Sequence, residues 1–308
     1  MAKKIVVVGS LIVDLTTYVD RYPVTGETVL GTPAALGPGG KGNNQATAAC
    51  KTGSDVTMIG KVGTDVLASL LENHCRTCGM NCDHLLRAEG EQSGAALIEV
   101  LTTNGDNRII VGKGANELLT AAEVEAADEA FAACDLVLTQ LETSMESIQM
   151  AKDMAKKYGK TFVLNPAPAQ PLPEGYLDGV DYFTPNETEA AFYVGSPVET
   201  DEQLNYAGQK LLDMGVKHVV ITLGSRGAFY MDSERSVFVP SFKVNAIDTT
   251  GAGDAFNGGF VTALAEGQPI EDAIRFGCAT AGISVTRKGT APAMPTREEV
   301  EAFLKANA

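Results

Sequence analysis

Short apolar runs alternate with longer amphipathic stretches along most of this chain. The runs at 4–9, 56–61, 136–139, 161–165, 181–184 and 219–223 have the length and continuous apolar character of strands buried on both faces. Between or after them lie 43–51, 66–78, 121–132, 144–158 and 202–214, which carry helical periodicity, and the second half closes with 254–265 and 270–285. Thr120-x-x-Glu123 has the form of a capping box. Gly79 stands where the 66–78 helix should stop. The rhythm predicts the α/β class, with a central, mostly parallel sheet and helices on both faces.

Two stretches break the rhythm. Residues 15–19 with 28–36, and 95–100 with 107–112, read as strands with no helix between them. Thr103-Asn104-Gly105-Asp106 is a hairpin turn signal between the last two. These four strands are expected to form a small separate sheet, about 12–36 and 94–112, that covers a substrate or pairs with a second subunit. The alternative is that they extend the edge of the main sheet.

Composition narrows the picture. The chain has 308 residues, 44% apolar and 20% charged, with a formal charge of −15. The length permits a sizeable core, and the acidity argues against nucleic acid or an anionic membrane as partner. The apolar run after Lys3 and Lys4 is too short for a signal sequence, and no stretch is long enough to span a bilayer. Six cysteines in a chain of this length do not make a disulfide scaffold, so the expected location is cytoplasmic. His74, Cys75, Cys78, Cys82 and His84 have the density of a metal site. They straddle a helix end and the following strand, and ordinary thiols are the simpler reading.

Candidate chemistry gathers at two glycine-rich turns. Asp248-Thr249-Thr250-Gly251-Ala252-Gly253-Asp254 enters a helix-like stretch, where unpaired N–H groups attract anions. Asp254 at that place is set to take a proton from a hydroxyl attacking a phosphate. Gly37-Pro38-Gly39-Gly40-Lys41-Gly42-Asn43-Asn44-Gln45 also enters a helix. It does not follow the first strand as a dinucleotide fingerprint would, and suits close approach to a small polar ligand, with Lys41 and Asn44 as donors. Asn186 and Glu189 share a helical turn that could organise hydrated Mg²⁺ and phosphate, or simply cap the helix. Asp14 and Glu142 end strand-like segments, where ligand-binding groups collect in open α/β sheets. Thr222, Gly224 and Gly227 lie on a turn that could meet a nucleotide.

On these residues the chain resembles the ribokinase, or PfkB-type, sugar kinase family along its whole length. Gly39-Gly-Lys-Gly-Asn-Asn-Gln45 and Asp248-Thr-Thr-Gly-Ala-Gly-Asp254 match both family signatures in order and separation. Asn186-Glu-Thr-Glu189, Asn165-Pro-Ala-Pro and Val285-Thr-Arg-Lys-Gly match as well. The resemblance implies a single ribokinase-like domain, 1–308, with a β-sheet lid, acting as an ATP-dependent pentose kinase that makes ribose 5-phosphate. Asp254 would be the base. The amides of Gly251, Ala252 and Gly253 would be the anion hole. Ile12, Asp14, Gly40, Lys41, Asn44 and Glu142 would line the sugar site. Asn186, Thr222, Gly224, Gly227, Gly253 and the region of Cys278 would serve the nucleotide, and Asn186 and Glu189 the Mg²⁺ through water. A K⁺ site would use Asp248 and the carbonyls of Thr250, Ser284, Arg287, Gly289 and Ala293, and a homodimer would form through the lid.

Two positions depart from the family pattern. Ala293 stands where ribokinases often have serine, which removes a hydroxyl and keeps the carbonyl. Ile12 stands where many ribokinases have asparagine, and an apolar side chain cannot donate to a sugar hydroxyl. Similar kinases for 2-deoxyribose are also apolar there, so a deoxyribose kinase is the nearest rival. Further alternatives are a phosphofructokinase-type enzyme, which needs more cationic groups, a nucleoside kinase, which needs an aromatic pocket, and a non-catalytic sugar sensor.

Overall fold

Ile5 and Val7 enter one core and their neighbours Val6 and Val8 enter another. A strand buried on both faces has no polar side to alternate with, so it reads as an unbroken apolar run. A computed structural model describes residues 2–103 and 106–307. Its elements begin with β1 (Lys4–Val8), β2 (Ile12–Val19), β3 (Ala35–Gly39), α1 (Lys41–Lys51), β4 (Asp55–Val62), α2 (Val66–Thr77), β5 (Asn81–Arg87), β6 (Gly94–Leu101) and β7 (Asn107–Gly112). Next come α3 (Ala121–Glu125), α4 (Asp128–Ala133), β8 (Leu136–Thr139), α5 (Met145–Lys157), β9 (Thr161–Leu164), β10 (Tyr182–Phe183), α6 (Glu187–Val194) and α7 (Asp201–Asp213). The chain ends with β11 (His218–Thr222), β12 (Gly227–Met231), β13 (Ser236–Pro240), α8 (Ala252–Ala265), α9 (Ile270–Ser284) and α10 (Arg297–Ala306).

The main sheet is nine-stranded, in the order β13-β12-β11-β10-β9-β8-β1-β4-β5. Its strands are parallel from β11 to β5, and only β12 and β13 join antiparallel. Residues of α1, α2, α8 and α9 share the core of Ile5 and Val7, while α3 to α7 share that of Val6 and Val8. Each fully buried aliphatic side chain in these layers contributes roughly 1.5–3 kcal/mol. No helix among the described residues is long and apolar enough to cross a membrane.

The second sheet is four-stranded, β3-β2-β6-β7. It is separate from the main sheet, and the edge-extension alternative is set aside. β2 pairs parallel with β6 and antiparallel with β3. Ile12, Ala96 and Ile98 form a small core beneath it, while Leu36, Leu97, Ile109, Ile110 and Val111 are exposed on it. Only residues 9–11 separate β1 from β2, so a strand of the main sheet leads almost directly into the small one.

Several expectations need correction. The strand expected over 28–36 begins only at Ala35. Pro33 has no N–H for a ladder, and the preceding residues are held instead by Thr32 N donating to Tyr18 O and Thr17 Oγ1 to Thr32 O, both at 2.9 Å. The helix expected over 121–132 is two, broken at Ala126–Ala127, a bend that lets Val124 and Phe131 reach the same core. The Thr120–Glu123 capping box is present. The turn expected at 103–106 lies partly outside the described residues, between the antiparallel β6 and β7. The β12–β13 hairpin was not anticipated.

Candidate active site

The parallel strands deliver their polar residues to one edge. Ser10 follows β1, Gln140 and Glu142 follow β8, Asn165 follows β9, Thr184 and Asn186 follow β10, and Thr222 ends β11. This is the carboxyl edge, where open α/β sheets bind ligands. The N-termini of α1 and α8 face the same region. Gly251 takes φ 75 at the start of α8, a left-handed geometry that favours glycine. Gly40 does the same for α1 at φ 87, and a Cβ there would sit 2.8 Å from Ile12 N.

Asp254 is buried in the first turn of α8 and held from both sides by α1. Asn44 Nδ2 donates to Asp254 Oδ2 and Gln45 Nε2 to Asp254 Oδ1, each at 2.9 Å. Gln45 Nε2 also donates to Asn165 Oδ1 (2.9 Å), and Asn165 Nδ2 to the Thr184 carbonyl (2.7 Å). Thr184 Oγ1 donates to Asn257 Oδ1 (2.6 Å), and Asn257 Nδ2 to the Gly253 carbonyl (2.9 Å). Gly253 is bonded to Asp254, so the chain of contacts closes into a ring. Gln140 Nε2 braces it by donating to Gln45 Oε1 at 2.8 Å. A closed buried network of this kind fixes its members in one geometry. At the helix start the Ala252 amide closes a turn onto Thr249 O at 3.2 Å. Among the described residues, the Gly251 and Gly253 amides have no hydrogen-bond acceptor, the condition that lets a helix start bind an anion. Asn44 Oδ1 is buried and without a partner, and its own amide nitrogen is on Asp254.

Three more carboxylates and one ammonium surround this base. Glu142 Oε2 accepts from Ser10 Oγ (2.5 Å) and from the Lys41 backbone N (2.9 Å), so it caps α1. Asp14 accepts from Thr290 Oγ1 at 3.1 Å. Burial pushes the Asp14 carboxyl up to about 6; the Thr290 bond opposes this, and the negative charges of Asp254 and Glu142 add to it. Burial would lower the Lys41 ammonium, but Asp254, Glu142 and Glu189 outweigh it and hold it above its ordinary value. The same mutual influence places Asp14, Lys41, Glu142, Glu189 and Asp254 around one site. Ile12 is buried against Ala96 and Ile98 under the small sheet.

The nucleotide and cation candidates lie beside it. Asn186 Oδ1 accepts from Glu189 N (2.8 Å) and Glu189 Oε2 from Asn186 N (2.9 Å), a full capping box. The box uses one oxygen of each side chain and leaves Glu189 Oε1 free of it. Burial raises the Glu189 carboxyl, with Lys41 pulling it back. A free, half-desolvated carboxylate oxygen beside an amide fits a hydrated Mg²⁺. Asn186 bridges Thr222, and Arg226 Nη2 donates to Glu187 Oε1 at 2.7 Å, which ties the turn carrying Gly224 and Gly227 to α6. The Cys278 thiol is packed in the main core with Phe256 and Phe276, so only its surroundings on α9 can face a nucleotide.

Asp248 knits the loop before α8 to the loop after α9. Its Oδ1 accepts from Thr250 N (3.0 Å) and its Oδ2 from Gly289 N (2.9 Å). The Ser284 carbonyl accepts from Arg287 N at 3.0 Å and Ala293 N donates to Thr290 O at 3.0 Å. Among the described residues no hydrogen bond ends on the carbonyls of Thr250, Arg287 or Gly289. One carboxylate with free carbonyls is a hard-oxygen set that fits a monovalent cation.

Ser10, Gln45, Gln140, Thr184, Asn257 and Thr290 escaped the sequence reading as site residues. Gln45 and Asn165 stood within quoted motifs, which was the one available signal. Around the cysteines, no three His, Cys, Asp or Glu side chains among the described residues converge on a metal geometry.

Known proteins resemble this chain along nearly its whole length. Residues 2–297 match the family described as pfkB family carbohydrate kinase. A ribokinase of Haemophilus influenzae is 40% identical over 305 residues, 99% of each chain. A deoxyribokinase of Salmonella typhi is 38% identical over 304 residues, 98% of this chain and 99% of that one. The structure of Arabidopsis thaliana ribokinase complexed with ribose and ATP aligns with a TM-score of 0.91 at 32% identity, covering 99% of both chains. A match of this extent in sequence and in fold makes the chain a member of the pfkB family of carbohydrate kinases.

Proposed function

We propose that this protein transfers the γ-phosphoryl group of ATP to the 5-hydroxyl of D-ribose, giving ribose 5-phosphate. The observation that carries the reading is Asp254, buried, gripped by Asn44 and Gln45, and one residue from the free Gly253 amide. Asp254 takes the proton of the 5-hydroxyl at a carboxylate oxygen. The amides of Gly251 and Gly253 receive the charge on the phosphoryl group, joined by Ala252 if its turn contact opens. Catalysis is then mostly positioning and charge stabilisation.

Asp14, Lys41, Asn44 and Glu142 bind the sugar hydroxyls beside Gly40 and Ile12. The unpartnered Asn44 Oδ1 is the acceptor a hydroxyl would satisfy. Thr222, Gly224, Gly227, Gly253 and the surroundings of Cys278 serve ATP. Asn186 and Glu189 would hold Mg²⁺ through water, and that ion neutralises phosphate charge when bound. Asp248 with the carbonyls of Thr250, Ser284, Arg287, Gly289 and Ala293 would hold K⁺, which orders the anion-hole loop when bound. We read residues 1–308 as one domain, with the small sheet as a lid that excludes water. The protein is read as cytoplasmic and dimeric through that lid, with no nucleic-acid or membrane partner.

Ile12 favours one second reading, a 2-deoxyribose kinase, because it offers no donor to the 2-hydroxyl. The test is kcat/KM for ribose and 2-deoxyribose in parallel, with Asp254→Asn as control. Ribose preference is expected, with kcat falling by ~10²–10⁴ in the variant while sugar still binds. Deoxyribose preference would make Ile12 the selecting residue. A variant that turns over normally would remove Asp254 as the base.

A further inference from the structure

Asp14 stands on β2, opposite Gly37 of β3. Its side chain packs against Gly39, where a Cβ would sit 2.2 Å from Oδ2 and 2.4 Å from Oδ1. Glycine at that place makes room for the carboxylate but does not hold it. Among the described residues, Asp14 accepts one side-chain hydrogen bond, from Thr290 Oγ1 to Oδ2 at 3.1 Å. The donor comes from 276 positions away in sequence, on the loop after α9, and is itself buried. Thr290 Oγ1 also lies 3.2 Å from the Pro38 carbonyl of β3. A hydroxyl has one proton, so the two acceptors share it.

We infer that Thr290 is a positioning residue for the acceptor sugar: its hydroxyl fixes the orientation of the Asp14 carboxylate, and its backbone references that carboxylate to the loop that carries the Gly251 amide. The inference rests on the reading of Asp14 as a sugar ligand and of Gly251 as part of the anion hole. Asp14 needs such a partner. The negative charges of Asp254 and Glu142 act on it, and like charges push a loosely held carboxylate away from the site. A carboxylate fixed before the sugar arrives spares the complex the cost of ordering it. With Oδ2 taken by Thr290, Oδ1 is the oxygen left for a hydroxyl.

The other side of Thr290 faces the start of α8. A Cβ built on Gly251 would meet Thr290 Cγ2 at 3.3 Å, so the methyl group and the left-handed glycine are neighbours. One residue back, Gly289 N donates to Asp248 Oδ2 at 2.9 Å, and Asp248 Oδ1 accepts from Thr250 N at 3.0 Å. Three residues on, Ala293 N donates to Thr290 O at 3.0 Å and closes a short 3-10 turn, Ala291–Ala293. The backbone of Thr290 is therefore tied down on both sides.

This placement matters because the two ends belong to different parts of the fold. Asp14 rides on the small sheet, and Gly251 opens a helix of the main layer. An attacking hydroxyl and a phosphoryl group react only when both are held within a short, aligned approach. Thr290 joins the two parts directly. Lys288 adds a second contact to the same strand, with Nζ 5.6 Å from the centre of the Tyr18 ring on β2. The segment 288–290 thus reaches from the small sheet to the start of α8.

The test is steady-state kinetics of Thr290→Val and Thr290→Ser, with whichever of ribose and 2-deoxyribose the wild type turns over better. Valine keeps the size of threonine and loses the donor. Thr290→Val should raise KM for the sugar about tenfold, the ordinary worth of one hydrogen bond to a charged group, and leave KM for ATP within about twofold. Thr290→Ser, which restores the hydroxyl, should bring the sugar KM back to within about threefold of wild type. In an Asp14→Ala background, Thr290→Val should change kcat/KM by less than about twofold, because no carboxylate is left to position. Should Thr290→Val not fold, Thr290→Ala against Thr290→Ser makes the same comparison. A wild-type sugar KM in Thr290→Val would overturn the inference. So would a Thr290→Ser enzyme as weak as the valine variant, or a full tenfold loss in the Asp14→Ala background. A wild type that turns over neither pentose would instead sink the pentose-kinase reading, and the inference with it; the other three results all require a working wild type.

Discussion

Asp14 and Asp254 carry the same functional group in the same site, yet their surroundings differ. Asp254 has two amide donors, while Asp14 has one hydroxyl donor and two carboxylates for company, and its carboxyl is pushed up to about 6. Above that pH Asp14 is ionised and accepts hydroxyl protons; below it the group is protonated and loses that strength. We expect kcat/KM for the sugar to be flat from pH 7 to 8 and to fall about tenfold per unit below pH 6. Asp14→Asn should lower the plateau and remove that limb, and a wild-type profile flat to pH 5 would count against a sugar-binding carboxylate there. Gln45 touches no substrate in this scheme and acts through Asp254. Gln45→Leu breaks its bonds to Asp254 and Asn165 and leaves Gln140 Nε2 unmatched. The expected cost is about 2–3 kcal/mol in urea unfolding, with kcat down about tenfold and KM for ATP little changed. An unaltered kcat would refute the positioning role.

The helices α1 and α8 meet so closely that their contact has no room for a methyl group. A Cβ on Gly258 would lie 2.4 Å from Ala48 Cβ and 2.6 Å from Gln45 O. Gly258→Ala must push the helices apart, and with them the base and the amides that hold it. We expect a stability loss of about 1–3 kcal/mol in thermal or urea unfolding and a kcat loss that a purely structural glycine would not cause. Element by element, the parallel strands were legible because burial on both faces leaves continuous apolar runs. Helix starts at α1 and α8 were placed two residues late, since the left-handed glycines before them read as loop. The 28–34 segment has the thread of β-branched residues typical of a strand but finds no ladder partner past Ala35. The ring around Asp254 was mostly hidden. Gln45, Asn165, Thr184 and Asn257 are spelled like surface residues, and nothing local says that the fold buries them together.

The whole molecule carries a formal charge of −15, yet the reading requires it to bind ATP. The contradiction is resolved locally, by Lys41 and by free amides at a helix start, which act at contact distance where the bulk charge is screened. The small sheet, by contrast, presents apolar residues to solvent, with Ile110 70% exposed. An exposed strand surface of this kind is covered in most proteins. If a second copy covers it, sedimentation velocity should give a dimer for the wild type and a monomer for Ile110→Glu; a wild-type monomer would remove the lid as a subunit contact. The near-direct passage from β1 into β2 has a further consequence. Ile12, Asp14 and Gly40 belong to or adjoin the small sheet, while Asp254 and the free amides belong to α8. On the proposed roles, part of the choice of acceptor therefore sits on a piece of chain separate from the base and its amides. A lineage could exchange one customer for another by editing a few positions along that rim and leave the engine alone. Relatives named for ribose and for deoxyribose, at 40% and 38% identity to the same chain, are what such modularity would produce.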